Sequence, residues 1–352
     1  MPEEPTVAPE KIDLCALALP ELTAWVKSLG EPAFRAGQLY GWLHDKQVAE
    51  LSQMTNLSLT LRQTLSDHGF IPAVTTVTRL TSALDGTNKF LLGLPDGNCV
   101  EAVWMEYNHG PSLCISTQVG CRQGCTFCAS TIGGLLRGLT VGELLGEVYE
   151  VQRQMGKRIS SLVLMGIGEP LDNFDPVVKF LQLLSSPQGQ NLSLRHVSLS
   201  TCGLVPEIYR LAKLELGLTL SISLHAADDA TRSSIMPINR KYGIAQLMTA
   251  CKDYFQLTGR RISYEYALIS GVNDSPDHAR RLAALLAGQT CHVNLIPVNP
   301  VAERGTRRGT RAQVERFAAL LESLGQNATV RRELGSDINA ACGQLRRNQL
   351  EK

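Results

Sequence analysis

The feature that most constrains the fold is an alternation of short β-type runs with amphipathic helical patterns, which begins at about residue 111. Such an alternation predicts βα units, in which a helix connects two parallel strands. The β-type runs predict six strands, at residues 112–117, 161–165, 196–201, 218–224, 262–269 and 292–298. Capping signals predict three helix starts, at Thr140 with Glu143, Ser275 before Pro276, and Thr310 with Gln313. Six units are fewer than the eight of a closed barrel, so the pattern predicts a partial (β/α)6 barrel or an open α/β sheet.

The residues before this alternation predict a small helical unit. Leu22 and Val26 recur at helical spacing, Gly30 supplies a stop, and a second helix is predicted around residues 39–43. Turn signals on both sides of residues 89–94 predict a short hairpin that closes this unit. We therefore expect three parts: an N-terminal accessory helical domain over residues 1–95, a core over residues 96–305, and a C-terminal helix and extension over residues 306–352.

Composition and charge exclude several classes of protein. The chain has 352 residues, of which 44% are apolar and 19% charged, a balance typical of globular proteins. Its net charge of +1 excludes a strongly polybasic surface that binds nucleic acid everywhere, although a local basic patch stays open. No apolar run reaches the roughly 18 residues of a membrane span and residues 1–4 carry no basic leader, so we expect a cytoplasmic protein without membrane contact. Its ten cysteines are then expected to be reduced unless they bind metal or take part in catalysis.

The cysteines at 121, 125 and 128 form the strongest motif in the chain, C-x3-C-x2-C. Gly120 and Gly124 in the same loop let the backbone fold three thiolates around one centre. The alternatives are loop cysteines without a role and a zinc site, but structural zinc normally takes four Cys or His ligands and no second pair lies nearby. Three thiolates suit a [4Fe–4S] cluster in which one iron has no protein ligand. That iron can then hold a substrate or cofactor.

The motif, with Phe127 before its last cysteine, resembles the signature of the radical S-adenosylmethionine (SAM) superfamily. The resemblance implies that the open iron of a cluster held by Cys121, Cys125 and Cys128 binds the amino and carboxylate groups of SAM. The bound SAM is then cleaved reductively to a 5′-deoxyadenosyl radical. The segment at residues 165–170 resembles the glycine-rich loop that receives the methionine amino group, since glycines permit close approach and a glutamate offers an anionic acceptor.

Longer motifs, at residues 118–121, 223–226, 235–240 and 335–345, resemble the bacterial RlmN-type adenine-C2 methyltransferases. That family methylates adenosine 2503 of 23S ribosomal RNA and adenosine 37 of tRNA. The resemblance implies a partial (β/α)6 barrel as the radical SAM core. It also implies a SAM site lined by Gly168, Glu169, Ser200, Ser223, Leu224, His225 and Asn299. The chain departs from the family pattern at Gly138 and at residues 302–306.

Two cysteines outside the motif gain roles from the resemblance. Cys342 would receive a methyl group from one SAM, and the radical made from a second SAM would abstract hydrogen from that methyl group. The resulting carbon radical would attack C2 of adenine, a carbon too electrophilic for simple displacement on a sulfonium methyl group. Glu101 would accept the C2 proton, and Cys114 would release the product by forming a disulfide with Cys342. The remaining cysteines are expected to be packing residues: Cys15, Cys99, Cys202, Cys251 and Cys291.

The partners follow from the same resemblance and from charge. Two clusters of arginines predict phosphate contacts, because the guanidinium fork suits phosphate. They are Arg304, Arg307, Arg308 and Arg311 before the last helix, and Arg331, Arg332, Arg346 and Arg347 around Cys342. We expect a monomer that acts on 23S rRNA and tRNA and is reduced by an external one-electron donor such as flavodoxin or ferredoxin. Two alternatives stay open, a C8-specific 23S rRNA adenine methyltransferase and a zinc-dependent RNA-binding protein. The full N-terminal helical unit favours methylation at C2 over methylation at C8. A zinc-dependent RNA-binding protein would not explain Cys114, Cys342 or the glycine-rich loop.

Overall fold

The computed structural model describes residues 11–340. Its strands are β1 Ile12–Asp13, β2 Gly69–Phe70, β3 Thr75–Thr81, β4 Asn88–Gly93, β5 Cys99–Tyr107, β6 Gly110–Cys114, β7 Gln118–Gly120, β8 Leu135–Gly138, β9 Ser161–Leu164, β10 Val197–Thr201, β11 Thr219–Ser223, β12 Ile262–Leu268, β13 Cys291–Pro297 and β14 Ala328–Val330. Its α-helices are α1 Leu19–Ser28, α2 Phe34–Tyr40, α3 Leu59–His68, α4 Val141–Met155, α5 Phe174–Leu184, α6 Val205–Ala212, α7 Asp229–Ile235, α8 Ile244–Thr258, α9 Pro276–Leu285 and α10 Arg311–Ser323. None of the helices in this range combines the length and the apolar character needed to cross a membrane.

One ten-stranded sheet organises the molecule, in the order β14-β13-β12-β11-β10-β9-β6-β5-β4-β3. Seven of its strands, β6, β9, β10, β11, β12, β13 and β14, are parallel to one another, and helices connect them on the outside. Within the described residues β14 and β3 are unpaired edges, so the sheet is an incomplete barrel. The predicted partial (β/α)6 barrel is confirmed. All six predicted strands are present with bounds moved by at most three residues, and the three-residue β14 is an addition too short for the sequence pattern to reveal.

The predicted capping signals of the barrel helices are confirmed. The side chains of Thr140, Ser275 and Thr310 each accept a hydrogen bond from the backbone amide three residues further on, at the starts of α4, α9 and α10. These bonds satisfy amides that the first turn of a helix leaves without a partner. These three helices therefore begin where their local sequence indicates.

The N-terminal helices are confirmed, but the hairpin expected to close their unit lies elsewhere. β3, β4 and β5 form an antiparallel extension of the barrel sheet, in which β5 pairs with β6. Every residue of β5 from Cys99 to Met105 is buried, so this strand needs partners on both sides. Residue 95 consequently falls between two paired strands, and the three-part division of the chain stays a prediction.

Buried polar contacts join the helical unit to the barrel. A π-helical turn at Gly41–Asp45 extends α2 and carries His44, whose Nδ1 lies 3.0 Å from the hydroxyl of Tyr149 on α4. Gln47, Gln152 and Gln190 form a network of amide hydrogen bonds between 2.6 and 3.2 Å long. Buried polar groups that satisfy one another specify one relative arrangement of the elements they connect.

Candidate active site

The residues singled out in the sequence converge on one cavity at the C-terminal edge of the parallel strands. The cavity is lined by the cysteine loop and by the loops that follow β9, β10, β11 and β13. Of the predicted site residues it includes Cys121, Cys125, Cys128, Gly168, Glu169, Ser200, Ser223, His225 and Asn299. Ligands of βα barrels bind at this edge, so the structure brings these side chains together where a cofactor is expected.

The cysteine loop is shaped by one glycine and anchored by one threonine. Gly120 has a φ of +80°, and a Cβ there would lie 2.0 Å from a carbonyl oxygen across the β7–β8 hairpin, so only glycine fits. The hydroxyl of Thr131 lies 3.2 and 3.0 Å from the carbonyl oxygens of Cys125 and Cys128. The guanidinium of Arg304 donates to the same hydroxyl over 2.6 Å. The loop is therefore held in place by the protein itself.

The thiols of the cysteine loop can serve as ligands of an iron–sulfur cluster. Burial raises the pKa of Cys121 to about 12 and raises the pKa of Cys125 well above its ordinary value. Such thiols become thiolate ligands only when metal cations displace their protons. Cys121, Cys125 and Cys128 all line this cavity, so three thiolates are available there for a [4Fe–4S] cluster in which one iron has no protein ligand.

The glycine-rich loop after β9 places its glycines against the protein. A Cβ at Gly166 would lie 2.5 Å from the carbonyl oxygen of Ile115. A Cβ at Gly168, where φ is +111°, would lie 2.7 Å from the Cβ of Gln118. The sequence predicts that these glycines admit a ligand; the structure shows that they also let the loop lie directly on the connection between β6 and β7.

Glu169 lies at the end of this loop with both carboxylate oxygens engaged. They accept hydrogen bonds from the backbone amides of Cys202 at 2.7 Å and Leu171 at 3.1 Å. Burial raises the pKa of Glu169, and these amide hydrogen bonds oppose that rise. A cationic ligand group in the cavity would stabilise the ionised carboxylate further, which is the role expected of an acceptor for an ammonium group.

The side chains of two consecutive predicted site residues, Ser223 and Leu224, lie on opposite faces of the sheet. The hydroxyls of Ser200 and Ser223, on the adjacent strands β10 and β11, lie 3.3 Å apart at the cavity wall. Leu224 is fully buried in the main hydrophobic core and does not line the cavity. Successive residues of an extended chain face opposite sides, so the side chain of Leu224 packs against the outer helices.

His225 is a neutral hydrogen-bonding group rather than a charge. Its Nδ1 accepts a hydrogen bond from the backbone amide of Ala267 at 2.9 Å, which leaves the ring proton on Nε2. Burial, with a smaller contribution from the nearby Arg232 cation, lowers the pKa of His225 to about 3. The edge of one ring meets the face of the other between His225 and Phe127, with centroids 5.0 Å apart. The positive φ of His225, +55°, is a strained conformation for a non-glycine residue and is maintained by these contacts.

A second cavity adjoins the first and is lined by Cys114. The two cavities share the residues Met165, Ile296, Asn299 and Arg331. Cys114 is buried at the end of β6. It packs in a small apolar cluster with Leu334 and Ala340, from the C-terminal part of the described chain. Cys342, the predicted methyl carrier, lies outside the described residues.

Glu101 lies on β5 beside this second cavity. Val103 and Met105 line the cavity, and Glu101 precedes them with the same alternation along the strand. Glu101 does not itself line the cavity: it is fully buried, and its Oε1 lies 2.7 Å from the Nζ of Lys89 on β4. The sequence did not reveal this ion pair, although a lysine within the apolar run of β4 was a visible signal.

Three further buried polar residues belong to the site and were missed. Arg232 is fully buried and donates to the carbonyl oxygens of Cys202 at 2.7 Å and Ser223 at 3.1 Å, which joins the loops after β10 and β11. Glu265 lines the cavity from β12, where its alternation with two tyrosines indicated an inward polar position. Cys202, expected to be a packing residue, also lines the cavity.

The arginines expected to bind RNA have several partners within the protein. Arg304 donates a hydrogen bond to Thr131 in the cysteine loop. The guanidinium of Arg308 lies 2.7 Å from the carboxylate of Glu333, and that of Arg311 lies 2.6 Å from the carboxylate of Glu315. The exposed members of the two clusters include Arg307 and Arg332. Arg331 is half-buried and lines both cavities, while Arg346 and Arg347 lie outside the described residues.

An incomplete (β/α)6 barrel with a C-x3-C-x2-C loop at its C-terminal edge defines the class of radical SAM enzymes. Residues 115–283 match the family model described as the Radical SAM superfamily. Residues 12–71, which include the N-terminal helices, match the model described as the ribosomal RNA large subunit methyltransferase N-terminal domain.

Similarity to known proteins extends over nearly the full chain. Proteins named probable dual-specificity RNA methyltransferase RlmN match it at 52% identity over 342 residues in Desulforamulus reducens, covering 97% of this chain and 98% of the relative. The match in Lachnoclostridium phytofermentans is 51% over 343 residues, covering 97% and 96%. The crystal structure of a radical SAM methyltransferase from Sphaerobacter thermophilus aligns with a TM-score of 0.92 and 41% identity, covering 95% of this chain and 99% of that one. This protein belongs to the RlmN family, and its cofactors are a [4Fe–4S] cluster and SAM.

Proposed function

We propose that this protein methylates C2 of adenosine 2503 in 23S rRNA and of adenosine 37 in tRNA. The observation that carries the proposal is the pair of adjoining cavities, one lined by the three motif cysteines and the other by Cys114. The second cavity is covered by Leu334 and Ala340, in the segment that leads to Cys342. The match of residues 12–71 to an RlmN-type N-terminal domain favours C2 over C8 chemistry.

The first cavity supplies the cofactor site in this proposal. When bound there, the cluster and two SAM molecules per turnover supply the methyl group and the radical that activates it. Cys121, Cys125 and Cys128 hold the cluster, and the hydroxyls of Ser200 and Ser223 line the space beside it. His225 contributes a neutral Nε2–H donor, which cannot repel a sulfonium cation as an imidazolium would.

Three residues act on the RNA around the second cavity. Cys342 carries the methyl carbon that becomes bonded to C2 of adenine. Glu101 takes the proton from C2, as a general base must. The thiolate of Cys114 would then attack the sulfur of Cys342 to form a disulfide, and the electron pair of the broken bond between that sulfur and the RNA-bound carbon would stay on the carbon, which takes up a proton to become the methyl group. The unpaired electron introduced with the radical would return to the oxidised cluster. The buried position of Cys114 at this cavity supports that assignment.

The proposal includes the working state of the protein. We expect a cytoplasmic monomer whose cluster is reduced by an external one-electron donor such as flavodoxin or ferredoxin. Light scattering after size-exclusion chromatography tests the monomer. Reduction by purified flavodoxin or ferredoxin, followed by the spectrum of the cluster, tests the donor.

Substitution of the two thiols outside the motif tests the function. Cys342→Ala should receive no methyl group and form no link to RNA. Cys114→Ala should still attack RNA and accumulate protein covalently linked to it, because the resolving disulfide cannot form. Denaturing gels with labelled RNA and peptide mass spectrometry measure both outcomes. The control is Cys251→Ala, a buried cysteine on α8, which should turn over normally.

The identity of the product decides between the alternatives. Nucleosides from RNA treated with the wild-type protein should contain 2-methyladenosine, identified against synthetic 2-methyl and 8-methyl standards. 8-Methyladenosine would establish the C8 enzyme instead. Bound zinc without labile sulfide after anaerobic preparation would overturn the enzymatic assignment, as would full turnover by Cys342→Ala.

A further inference from the structure

The last part of the described chain, residues 331–340, spans the open side of the incomplete barrel; we call it the strap. It leaves edge strand β14 and reaches the turn between β3 and β4, where β3 is the opposite edge of the sheet. At that turn the carboxylate of Asp337 accepts hydrogen bonds from the hydroxyl of Ser82 at 2.7 Å and the amide of Ala83 at 2.9 Å. Asp85 accepts from the amide of Gly335 at 2.9 Å. Three polar contacts therefore fasten the strap to one turn.

The inner side of the strap is apolar and covers the second cavity. Leu334 and Ala340 pack against Met105 and Cys114, and all four line that cavity. Gly335 has a φ of +61°, and a Cβ there would lie 2.7 Å from the Cβ of Ala340, so glycine lets the strap fold tightly back on itself. The docked strap thus forms the roof over Cys114, two residues before Cys342.

One buried side chain, Lys89, contacts both the strap and Glu101. Its Nζ lies 2.7 Å from Oε1 of Glu101 and donates over 3.2 Å to the carbonyl oxygen of Asn339. The side chain of Lys89 is 2% exposed. An ammonium has three N–H donors and can satisfy both acceptors at once. The same ammonium group therefore contacts both the strap and the carboxylate of Glu101.

We propose that Lys89 is a positioning residue that couples docking of the strap to the proton acceptor Glu101. It holds the carboxylate beside the second cavity in its ionised form, and together with Ser82 and Asp85 it fixes the strap over Cys114. A cation beside a buried carboxylate stabilises the form that can accept a proton. The same cation then holds both the base and the segment before Cys342. This assignment rests on the proposed function for the role of Glu101.

The test compares Lys89→Met with Lys157→Met, which removes the lysine of an exposed pair with Glu106 on the same strand as Glu101. Hydrogen–deuterium exchange of the strap amides reports docking, and RNA methylation with the reconstituted enzyme reports catalysis. Lys89→Met should raise exchange in the strap by about tenfold or more and lower methylation by about a hundredfold or more. Lys157→Met should change neither by more than about twofold. Lys89→Arg, which keeps the charge, should recover part of both.

Two further variants keep the test decisive if loss of the Lys89 cation beside Glu101 prevents folding. Lys89→Met with Glu101→Gln removes both charges of the buried pair and should fold with a loosened strap. Ser82→Ala should loosen the strap while the pair of Lys89 with Glu101 persists, and should lower methylation less than Lys89→Met does. Wild-type exchange in the strap of both Lys89→Met proteins would overturn the coupling. Absence of methylation by the wild type would instead overturn the proposed function, because the exchange measurement does not depend on it.

Discussion

Four thiols face the first cavity, yet only three of them lie in the C-x3-C-x2-C loop. The fourth is the thiol of Cys202, which follows a different strand, β10. The backbone amide of Cys202 donates a hydrogen bond to the carboxylate of Glu169. If the loop alone binds the cluster, Cys125→Ala should lose most of the bound iron and sulfide, because two remaining thiolates cannot hold the cluster in place. Iron and sulfide per chain after anaerobic reconstitution measure this.

Cys202→Ala is the matched control, since it removes a buried thiol from the same cavity and should retain a full cluster. Both variants should remain folded, because the core consists of the barrel strands and helices and the cluster lies at its edge. A full cluster in Cys125→Ala, or its loss in Cys202→Ala alone, would show that the ligand set is different from the one assigned.

His44 predicts a pH dependence of stability. Burial lowers the pKa of His44 to about 4, against about 6.5 in an unfolded chain. Between these values the unfolded chain binds the proton and the folded protein does not, so stability is present above pH 6.5 and is lost as the pH falls towards 4. The free energy of unfolding should fall by about 3 kcal/mol as His44 becomes protonated. Urea unfolding from pH 8 to pH 4 measures it.

The variant for this measurement is His44→Gln, which keeps a polar group near Tyr149 without a titrating ring. It should make the profile less steep between pH 6.5 and 4, with the contribution of the buried His225 remaining, while the same substitution at the exposed His68 serves as the control. An unchanged slope in His44→Gln would mean that another group causes the acid sensitivity.

Among the structural elements, the loop after β9 lies close against the connection between β6 and β7. Gly168→Ala places a Cβ 2.7 Å from Gln118 at a φ of +111°. The strained backbone and the clash together should lower the free energy of unfolding by about 2–4 kcal/mol. The substitution should also lower SAM affinity by more than about tenfold, because the loop forms one wall of the cavity. Thermal unfolding and equilibrium binding of SAM measure the two effects.

Gly156→Ala is the control for backbone strain alone. Gly156 ends α4 with a φ of +64°, and a Cβ there would meet nothing within 4 Å. This substitution should cost about 1 kcal/mol and leave SAM affinity unchanged. Equal effects of the two substitutions would show that contact with Gln118 is unimportant.

A neighbouring element shows how the chain accommodates its departure from the family pattern at Gly138. A Cβ at that position would lie 2.3 Å from Oδ1 of Asn173. The Asn173 side chain fills this space and donates to the carbonyl oxygens of Thr117 and Leu139 at 3.0 and 2.9 Å. The start of α5 therefore stabilises the strand that leads into α4.

For the whole molecule, a net charge of +1 means that RNA binding depends on local cations. Arg307 and Arg332 are exposed members of the two arginine clusters, and Arg332 lines the second cavity. Replacing both with alanine should lower the slope of log affinity against log salt by about two, one for each lost phosphate contact. Binding of labelled RNA at several salt concentrations gives the slope.

Arg195→Ala is the control, because Arg195 is exposed just before β10 at the edge of the barrel opposite to the site. It should leave the slope unchanged. Arg304→Ala should instead disturb the cysteine loop through Thr131 and reduce cluster occupancy. An unchanged slope in the double variant would exclude these two arginines from the RNA interface.

The sequence by itself determined the features that depend on neighbouring residues. The six barrel strands, the capped starts of α4, α9 and α10, and the three-cysteine loop are local patterns of period, hydrogen-bonding side chains and spacing. They were predictable because a strand or a helix start is specified within a few residues.

Only the tertiary structure decided which distant groups meet. The antiparallel extension of the sheet, the contact of Arg304 with Thr131 and the ion pair of Lys89 with Glu101 each join separate elements of the fold. The side chain of Leu224 lies in the core and not in the cavity wall because of strand alternation, and its place at the SAM site stays a prediction. The period of apolar residues in the sequence indicates that one face of a helix or strand is buried. It does not indicate which other element covers that face or which charged side chain lies opposite.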